Sequence, residues 1–294
     1  MKILILTCLL FISSAFASDI KVQVLGSGGP ELNDNRASSA YIIWVDNKSK
    51  ILIDFGGGAA LRFEEVKAKI EDLDIILLTH LHIDHTADLP ALLKASFFSN
   101  RFKDIEIYGP DKGLFVPDTK TFINRLFENK KGAWEYMGDF LDGNAQFKLQ
   151  TNTIPFSKEI KTIYNKNNIK IEAISVNHGP IPATAYKVSI DGKSITFSGD
   201  MSGKYSTLEK LAVNSNILIA HNAVPKGAQG VAKNLHMTPD IIGYIAKEAK
   251  VKNLVLSHRM LRTLGKEDIT KKEIRKYYEG KINFAEDRSI YLVQ

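Results

Sequence analysis

Residues 80–85, with the sequence HLHIDH, concentrate three imidazoles and one carboxylate in a single short stretch. Imidazole and carboxylate groups are ligands for divalent metal ions such as zinc. Alternation places His80 and His82 on one side, so that Asp84 and His85, further round the turn, can face a second position. Since the chain has only seven histidines, this spacing would arise by chance in roughly one sequence of several thousand. We therefore interpret it as a two-metal loop rather than a solvated polar loop.

Four apolar runs each end immediately before a residue that could bind a metal. The run IILLT precedes His80, AISVN precedes His178, ITFSG precedes Asp200 and LVLS precedes His258. Runs of this kind predict strands, and open sheets place their sites beyond the carboxyl ends of the strands. We therefore expect these side chains to converge on one rim of the fold.

The elements that must position these residues follow from the remaining pattern. Turn-bounded apolar runs predict strands at 20–25, 41–45, 51–55, 74–79, 105–108, 169–176, 183–190, 194–198, 216–220 and 253–257. Helices are predicted at 59–70, 88–98, 119–128 and 238–250, the last with Thr238 as its N-cap, whereas 130–142 suits a surface excursion. Strand-rich halves with outer helices predict two sheets packed face to face. No repeat, charge block or flexible linker divides residues 18–294, so we expect one domain.

Residues 1–17 form a separate segment. Lys2 is followed by an apolar run of about 13 residues and by Ala15-Phe16-Ala17, a small-x-small cleavage signature. The run is shorter than the ~20 apolar residues that a membrane-spanning helix needs. We therefore predict a secretory signal peptide, a mature chain that begins at Ser18, and an exported, periplasmic or secreted protein without a membrane span after signal removal.

Composition narrows the chemistry further. Of the 294 residues, 44% are hydrophobic and 24% charged, which is typical of a folded globular protein rather than a disordered one. The single cysteine, Cys8, lies within the predicted signal peptide. The mature chain would therefore have no disulfide, no cysteine nucleophile and no cysteine ligand for zinc. The net charge of +6 is too small and too scattered for a dedicated nucleic-acid binder, and it fits a small anionic substrate.

The chain resembles the metallo-β-lactamase family, and within it the ribonuclease Z-like, phosphodiesterase- and arylsulfatase-type branch. The resemblance runs through LGSGGP, RASS, ILIDFGGG and HLHIDH, which begin at positions 25, 36, 51 and 80. Asp54 matches the aspartate that supports the metal loop in this family, and His178, Asp200 and His258 match its third, fourth and fifth motifs. The resemblance covers nearly all of the mature chain and implies an α/β fold in four layers, αββα, with two facing mixed sheets and outer helices.

The same resemblance implies a ligand set for two divalent metal ions. One ion would be held by His80, His82 and His178, the other by Asp84, His85 and His258, and Asp200 would bridge both. Zinc suits these ligands best, although manganese and iron(II) are compatible with them. A water between two such ions is acidified to a hydroxide nucleophile near neutral pH. An aspartate at the bridging position, where thiolate-using lactamases have a cysteine, favours the hydrolysis of esters and especially of phosphodiesters.

Two further histidines match family elements. His236, in LHMTP, resembles the histidine of a His-x-Thr element that contacts the scissile group and can protonate the leaving oxygen. We expect His236 and Asp84 to be the catalytic residues. The alternative for His236 is a helix-capping role. His221 aligns with a His-Glu-Ala element in which the glutamate polarises the catalytic histidine. Here Asn222 takes the place of the glutamate, and an amide cannot supply the negative charge that raises a histidine pKa.

Two departures from the family pattern make transfer RNA an unfavourable substrate. Besides the change at Asn222, the long arm that transfer-RNA processing enzymes carry between the third and fourth motifs is missing, since His178 and Asp200 are only 22 positions apart. The extra length lies instead at 86–177, a segment whose aromatic residues predict packing more than a stacking platform. Export would also separate the protein from transfer-RNA precursors.

The sequence therefore predicts an exported, dinuclear, metal-dependent hydrolase of phosphodiesters, cyclic nucleotides or similar small anionic esters. An arylsulfatase or a lactonase is an alternative, since the same metals and hydroxide would serve all three reactions. A flavodiiron-type redox partner would need a flavin domain, for which no second domain is predicted. A catalytically degenerate binding protein is disfavoured because every expected ligand is present. Family members often form homodimers, although the sequence locates no interface.

Overall fold

The computed structural model of the chain describes residues 18–294, in which fourteen strands form two mixed sheets of seven strands each. The predicted signal peptide at 1–17 lies outside the described residues and stays a prediction. In spatial order the first sheet consists of β14 (Ile290–Leu292), β1 (Ile20–Gly26), β2 (Ala40–Val45), β3 (Lys48–Phe55), β4 (Ile75–Leu77), β5 (Ile105–Pro110) and β6 (Leu149–Ile154). The second consists of β13 (Lys281–Phe284), β12 (Asn253–Ser257), β11 (Ile217–His221), β10 (Lys193–Phe197), β9 (Ile181–Ile190), β8 (Ile169–His178) and β7 (Lys161–Lys166).

Short helices connect and cover the strands of residues 18–294. They are α1 (Ala59–Glu65), α2 (Ile83–Thr86), α3 (Leu89–Ala95), α4 (Thr119–Phe127), α5 (Asp139–Asp142), α6 (Leu208–Leu211), α7 (Gly230–Leu235), α8 (Pro239–Glu248) and α9 (Glu267–Ile274). Single 3₁₀ turns lie at Ile70–Asp72, Ser96–Phe98 and Glu135–Met137. None of the helices in residues 18–294 combines the length and the apolar character that a bilayer crossing requires.

Three apolar clusters give the fold its four layers. Along β3, Ile51 and Ile53 point into the cluster between the two sheets, whereas Leu52 points outward against α1, α3 and α4. On the second sheet Leu218 likewise packs outward, against α6 and α8. Strands that are covered on both faces are apolar along their whole length, which is why these runs were recognisable in the sequence. The predicted four-layer α/β fold, with helices outside two facing mixed sheets, is confirmed.

The carboxyl ends of the parallel strands lie along one edge of the sandwich. Strands β3 to β6 are parallel in the first sheet, and β10 to β13 are parallel in the second. Strand β8 has the same direction as β10, because each of them is antiparallel to β9. His80 follows β4, His178 and His221 end β8 and β11, and His258 follows β12. The fold therefore delivers histidines from both sheets to one rim.

Several predicted boundaries are corrected by the structure. The helix predicted at 59–70 ends at Glu65, because the backbone at Lys67 turns left-handed with a φ of 58°. The helix predicted at 88–98 stops at Ala95 and continues as a 3₁₀ turn. Thr238 stands at the N-cap of α8, but its side chain makes no capping hydrogen bond within residues 18–294. The prediction of a surface excursion at 130–142 is wrong where Met137 and Phe140 are buried in the outer core.

Candidate metal centre

All seven predicted ligand residues lie together on this rim, arranged around the carboxylate of Asp200. Six of the seven histidines place a ring nitrogen within 3.9 Å of an Asp200 oxygen, namely His80, His85, His178, His221, His236 and His258. Two groups of side chains could each hold a metal ion, since their ligand atoms lie within 4.8 Å of one another. The groups are His80, His82, His178 and Asp200, and His85, Asp200, His221 and His258. Asp200 is common to both.

In the first group three imidazole nitrogens point at one another. His82 Nδ1 lies 3.0 Å from His80 Nε2 and 3.3 Å from His178 Nε2. His178 Nδ1 lies 2.9 Å from the Leu235 carbonyl oxygen, an acceptor, so the ring proton is on Nδ1 and the lone pair of Nε2 faces the group. Burial lowers the pKa of all three rings, which keeps them neutral. Neutral imidazoles with inward lone pairs are the form that binds a metal.

In the second group His85 and His258 face the carboxylate of Asp84. Asp84 Oδ2 lies 3.1 Å from His258 Nε2 and 3.6 Å from His85 Nε2. Burial acts to lower the pKa of His85, but the negative charges of Asp54, Asp84 and Asp200 outweigh this effect and raise the pKa to about 9. Burial acts to raise the pKa of Asp84, but His85 and His258 lower it to about 2. Without a cation the acidic groups hold protons on the histidines, which a metal ion would have to displace.

Asp54 supports the metal loop from below, as its family position implies. The fully buried Asp54 Oδ1 accepts a hydrogen bond from Thr79 N at 2.7 Å, and Oδ2 accepts one from Thr79 Oγ1 at 2.7 Å. His85 Nδ1 lies 2.7 Å from Asp54 Oδ2, so His85 carries a proton on Nδ1 and directs Nε2 to the centre. That Nε2 is buried without a hydrogen-bond partner in residues 18–294. A buried, unpartnered nitrogen aimed at a carboxylate cluster fits a metal ligand.

Two residues at the centre have left-handed backbones. Asp54 has a φ of 54° and His258 a φ of 52°. Such backbones are uncommon away from glycine and concentrate at functional sites, where the surrounding structure must hold them in place. Asp54 is the penultimate residue of the buried strand β3 and His258 directly follows the buried strand β12, so each turn redirects a side chain at the end of a strand.

His221 is a member of the cluster that the sequence interpretation left without a role at the centre. Its Nδ1 lies 2.7 Å from Asp200 Oδ1, and its ring stacks on that of His258 with the centroids 4.8 Å apart. Burial lowers the pKa of His221 to about 3, so the ring is neutral. A sequence signal was present, because the apolar run ILIA ends directly before His221, as similar runs do before the other ligands. Asn222 is buried beside it and donates from Nδ2 to the Val224 carbonyl at 3.4 Å.

His236 lies beside both groups, with its ring centroid 5.4 Å from that of His178 and 5.9 Å from that of His258. Its Nδ1 is 3.7 Å from Asp200 Oδ2 and has no hydrogen-bond partner in the described part of the chain, and 8% of the residue is exposed. Burial lowers the pKa of His236 to about 4, an effect that Asp200 opposes and that His258 and His178 increase. His236 is the C-cap residue of α7, where its backbone N–H donates to the Ala232 carbonyl, and its ring lies next to that of His178, with the centroids 5.4 Å apart.

We expect Asp54→Asn to lower the zinc affinity of the chain by roughly 10- to 100-fold, the usual effect of removing a carboxylate behind a histidine ligand. Asparagine adopts a left-handed backbone as readily as aspartate, so the loss would come from the missing charge and acceptor. Competition with a chromogenic chelator measures the affinity. Asp118→Asn is the matched control, because Asp118 also accepts backbone and hydroxyl hydrogen bonds but caps α4. Equal affinities in the wild type and Asp54→Asn would remove Asp54 from the support of the centre.

Known proteins resemble this chain over most of its length. The ribonuclease Z of Picrophilus torridus is 28% identical over 269 residues, which cover 82% of this chain and 86% of that protein. The ribonuclease Z of Streptococcus pneumoniae is also 28% identical, over 291 residues that cover 86% of this chain and 92% of that protein. These likenesses agree with the branch that the motifs indicate.

Solved structures share the fold. The metallo-β-lactamase fold protein YhfI from Bacillus subtilis has a TM-score of 0.71 at 24% identity, covering 93% of this chain and 99% of its own. The short form of human tRNase Z has a TM-score of 0.68 at 22% identity, with coverage of 93% and 99%. Zn²⁺-bound PqqB from Methylobacterium extorquens has a TM-score of 0.65 at 13% identity, with coverage of 92% and 99%.

One family model matches most of the described chain. It is the model described as Anti-Pycsar protein Apyc1, and the match runs over residues 20–258, from the first strand to the last predicted ligand. Together with the relatives and the two-sheet fold, this match identifies a metal-dependent ester hydrolase of the ribonuclease Z-like branch of the metallo-β-lactamase superfamily. The chain belongs to the family described as Anti-Pycsar protein Apyc1.

Proposed function

We propose that this chain hydrolyses small phosphodiesters, cyclic nucleotides among them, at a centre of two divalent metal ions. The observation that carries the proposal is the position of Asp200, whose carboxylate lies between two groups of imidazoles and is common to both. Oδ2 lies 3.7 Å from His178 Nε2, whereas Oδ1 lies 3.4 Å from His258 Nε2. A carboxylate placed in this way can serve as a ligand to both ions.

The donor set favours zinc and assigns each ion its residues. His80, His82 and His178 would hold one ion, Asp84, His85 and His258 the other, and Asp200 both. Imidazole and carboxylate ligands suit zinc, and the similarly folded PqqB is described as Zn²⁺-bound. Two bound ions would lower the pKa of a water and stabilise negative charge on the phosphoryl oxygens.

The residues of the chain itself would orient the attack and assist departure of the leaving group. Asp84 is ionised, with a pKa of about 2, and can accept a hydrogen bond from the attacking water. His236 is neutral in the free chain, with a pKa of about 4. A phosphate anion bound beside His236 would raise that pKa, because a nearby negative charge favours the protonated ring. His236 would then hold a proton within reach of the leaving oxygen.

A small substrate fits the surroundings better than transfer RNA does. The segment between His178 and Asp200 is occupied by the strands β9 and β10 with a two-residue turn at Asp191 and Gly192, which leaves no length for an arm. Several relatives are named as ribonucleases, so RNA is the second candidate substrate.

A cleft next to the centre could receive the organic group of the ester. It has a volume of about 280 Å³ and is lined by residues that follow β5 and β6 and by Gly179, the neighbour of His178. Because β4, β5 and β6 are parallel neighbours, their carboxyl ends lie side by side on the rim. Phe156 and Tyr205 meet edge to face in its wall, with centroids 5.9 Å apart. Aromatic walls of this kind suit a nucleobase.

A panel of esters tests the proposed function. We expect the zinc-loaded chain to hydrolyse bis(4-nitrophenyl) phosphate and a cyclic nucleotide. We expect chelation to abolish both activities, because the proposed reaction depends on the bound metal ions as Lewis acids. Nitrophenyl sulfate, a lactone, nitrocefin and a precursor transfer RNA serve as competing substrates. Faster turnover of one of these would replace the phosphodiester assignment. Full zinc occupancy without turnover of any ester would favour a binding protein.

His236→Ala should act differently on two leaving groups. An alkoxide departs poorly unless it is protonated, and a placed histidine contributes roughly 10²–10⁴-fold there. A nitrophenolate is stable as an anion and needs little protonation. We therefore expect a large loss of kcat on a nucleotide phosphodiester, a small loss on bis(4-nitrophenyl) phosphate, and unchanged zinc content. Equal losses on both substrates would indicate a binding role for His236.

Phe156→Ala should raise KM for a nucleoside ester selectively. We expect an increase of about tenfold or more for thymidine 5′-(4-nitrophenyl) phosphate, from the loss of base stacking. Methyl 4-nitrophenyl phosphate, with the same leaving group and no base, should be affected little. Phe98→Ala is the matched control, since Phe98 is an exposed phenylalanine that does not line this cleft. Equal KM changes for the two esters would rule out the cleft as a base site.

A further inference from the structure

The ring of His258 is held differently from the rings of other candidate ligands. His85 Nδ1 lies 2.7 Å from Asp54 Oδ2, and His178 Nδ1 lies 2.9 Å from the Leu235 carbonyl oxygen. His258 Nδ1, in contrast, is buried without a hydrogen-bond partner in residues 18–294. The backbone of His258 is also left-handed, with a φ of 52°, a conformation that the surrounding structure must maintain. The orientation of this ring therefore depends on what packs against it.

The loop formed by residues 27–29 packs against His258. A Cβ atom on Gly29 would lie 2.8 Å from His258 Cε1 and 3.2 Å from His258 Nδ1, so the loop approaches the ring as closely as a glycine allows. The loop is also joined to the backbone that follows the ligand. Arg259 N donates to the Ser27 carbonyl at 2.9 Å, and Gly28 forms an isolated parallel bridge with Arg259. Loop 27–29 thus fixes both the ring and the backbone of His258.

One carboxylate holds this loop in place. Asp287 Oδ1 accepts hydrogen bonds from Ser27 N at 3.0 Å and from Ser27 Oγ at 2.8 Å. Asp287 Oδ2 accepts from Ala37 N at 2.9 Å and from Arg62 Nε at 3.0 Å. The Asp287 side chain is only 10% exposed. Asp287 lies in the turn between β13 and β14, which are edge strands of the two sheets. It therefore connects this turn to loop 27–29, to Ala37 and to α1.

We propose that Asp287 is a positioning residue, which keeps loop 27–29 packed on His258 and so keeps His258 directed at the second metal group. Without the carboxylate, the buried backbone donors of Ser27 and Ala37 would lose their acceptor, which is costly. The loop would then move, and no hydrogen bond from Nδ1 would hold the His258 ring. The proposal rests on the two-metal centre proposed above. Asp287 lies outside residues 20–258, the part of the chain that the family model matches.

Asp287→Ala should weaken the binding of one zinc ion and leave the other unchanged. We expect the affinity of the second group to fall about tenfold or more, as when a residue behind a metal ligand is removed. The first group should be unaffected, because its histidines follow β4 or end β8. Asp287→Asn keeps one acceptor oxygen and should cause a smaller loss. Competition with a chromogenic chelator resolves the two affinities. Asp118→Ala is the matched control, since Asp118 also accepts backbone and hydroxyl hydrogen bonds but caps α4.

Two backgrounds identify the ion that is affected. In His82→Ala, Asp287→Ala should still lower the affinity of the remaining ion. In His258→Ala it should change that affinity little, because Asp287 acts only through His258, which gives a non-additive cycle. Gly29→Ala tests the loop directly and should reproduce the selective loss, since the added methyl group would displace the ring. Gly227→Ala is its control, because a Cβ atom there meets nothing within 4 Å. Excess zinc should restore most of kcat in Asp287→Ala, since every ligand is still present.

The outcomes distinguish this inference from the proposed function. A wild-type chain that binds fewer than two zinc ions would overturn the two-metal centre of the proposed function. Two ions in the wild type, with both affinities unchanged or equally lowered in Asp287→Ala, would overturn the positioning role alone. A loss that persists in the His258→Ala background would overturn the route through His258. If Asp287→Ala fails to fold, Asp287→Asn, which keeps the size of the side chain, and Gly29→Ala still decide.

Discussion

The burial of one ionised carboxylate constrains the rest of this structure. Asp200 is 2% exposed, and a charge in that position is costly unless cations or hydrogen-bond donors surround it. Although burial acts to raise the pKa of Asp200, His258 and the hydrogen bond from His221 hold it well below its ordinary range. The ring nitrogens that compensate the charge come from strand ends of both sheets. The two sheets must therefore meet at this edge with their parallel strands ending together.

Asp54 and His221 each contact a residue of the centre, and they differ in charge. Asp54 places a carboxylate next to His85 Nδ1, and the same carboxylate accepts a hydrogen bond from Thr79 N, which connects the His85 ring to the loop. His221 is neutral and adds only a hydrogen bond, from Nδ1 to Asp200 Oδ1 at 2.7 Å. Charge would therefore be supplied where a ring must bind a cation strongly, and a neutral donor where a carboxylate must keep its own charge for the metal.

The sequence predicted the fold and the convergence of the candidate ligands on one rim for a physical reason, and it failed elsewhere for another. Strands covered on both faces are apolar throughout, so β3, β8 and β11 and the polar residues at their ends stood out. Strands β6, β7, β13 and β14 have exposed or partly exposed faces, and their mixed composition hid them. Tyr41 of β2 lies with Oη 3.1 Å from His221 Nε2 because of how β2 faces β11 across the sandwich, which no local pattern encodes. His221 followed the same strand-end rule as the ligands, but its alignment with a family element suggested a different role.

The ligands and their support are spread over the chain from Asp54 to His258, although they meet within a few ångströms. Contacts between residues so far apart in sequence form late, because a long stretch of chain must be closed before they add stability. The HLHIDH loop can be in place as soon as the first sheet has formed, but Asp200 and His258 arrive only with the second. Retention of a metal ion would then require the completed fold. A truncated chain that lacks the second sheet would lack part of the ligand set, and only the complete two-sheet fold would hold the ion tightly.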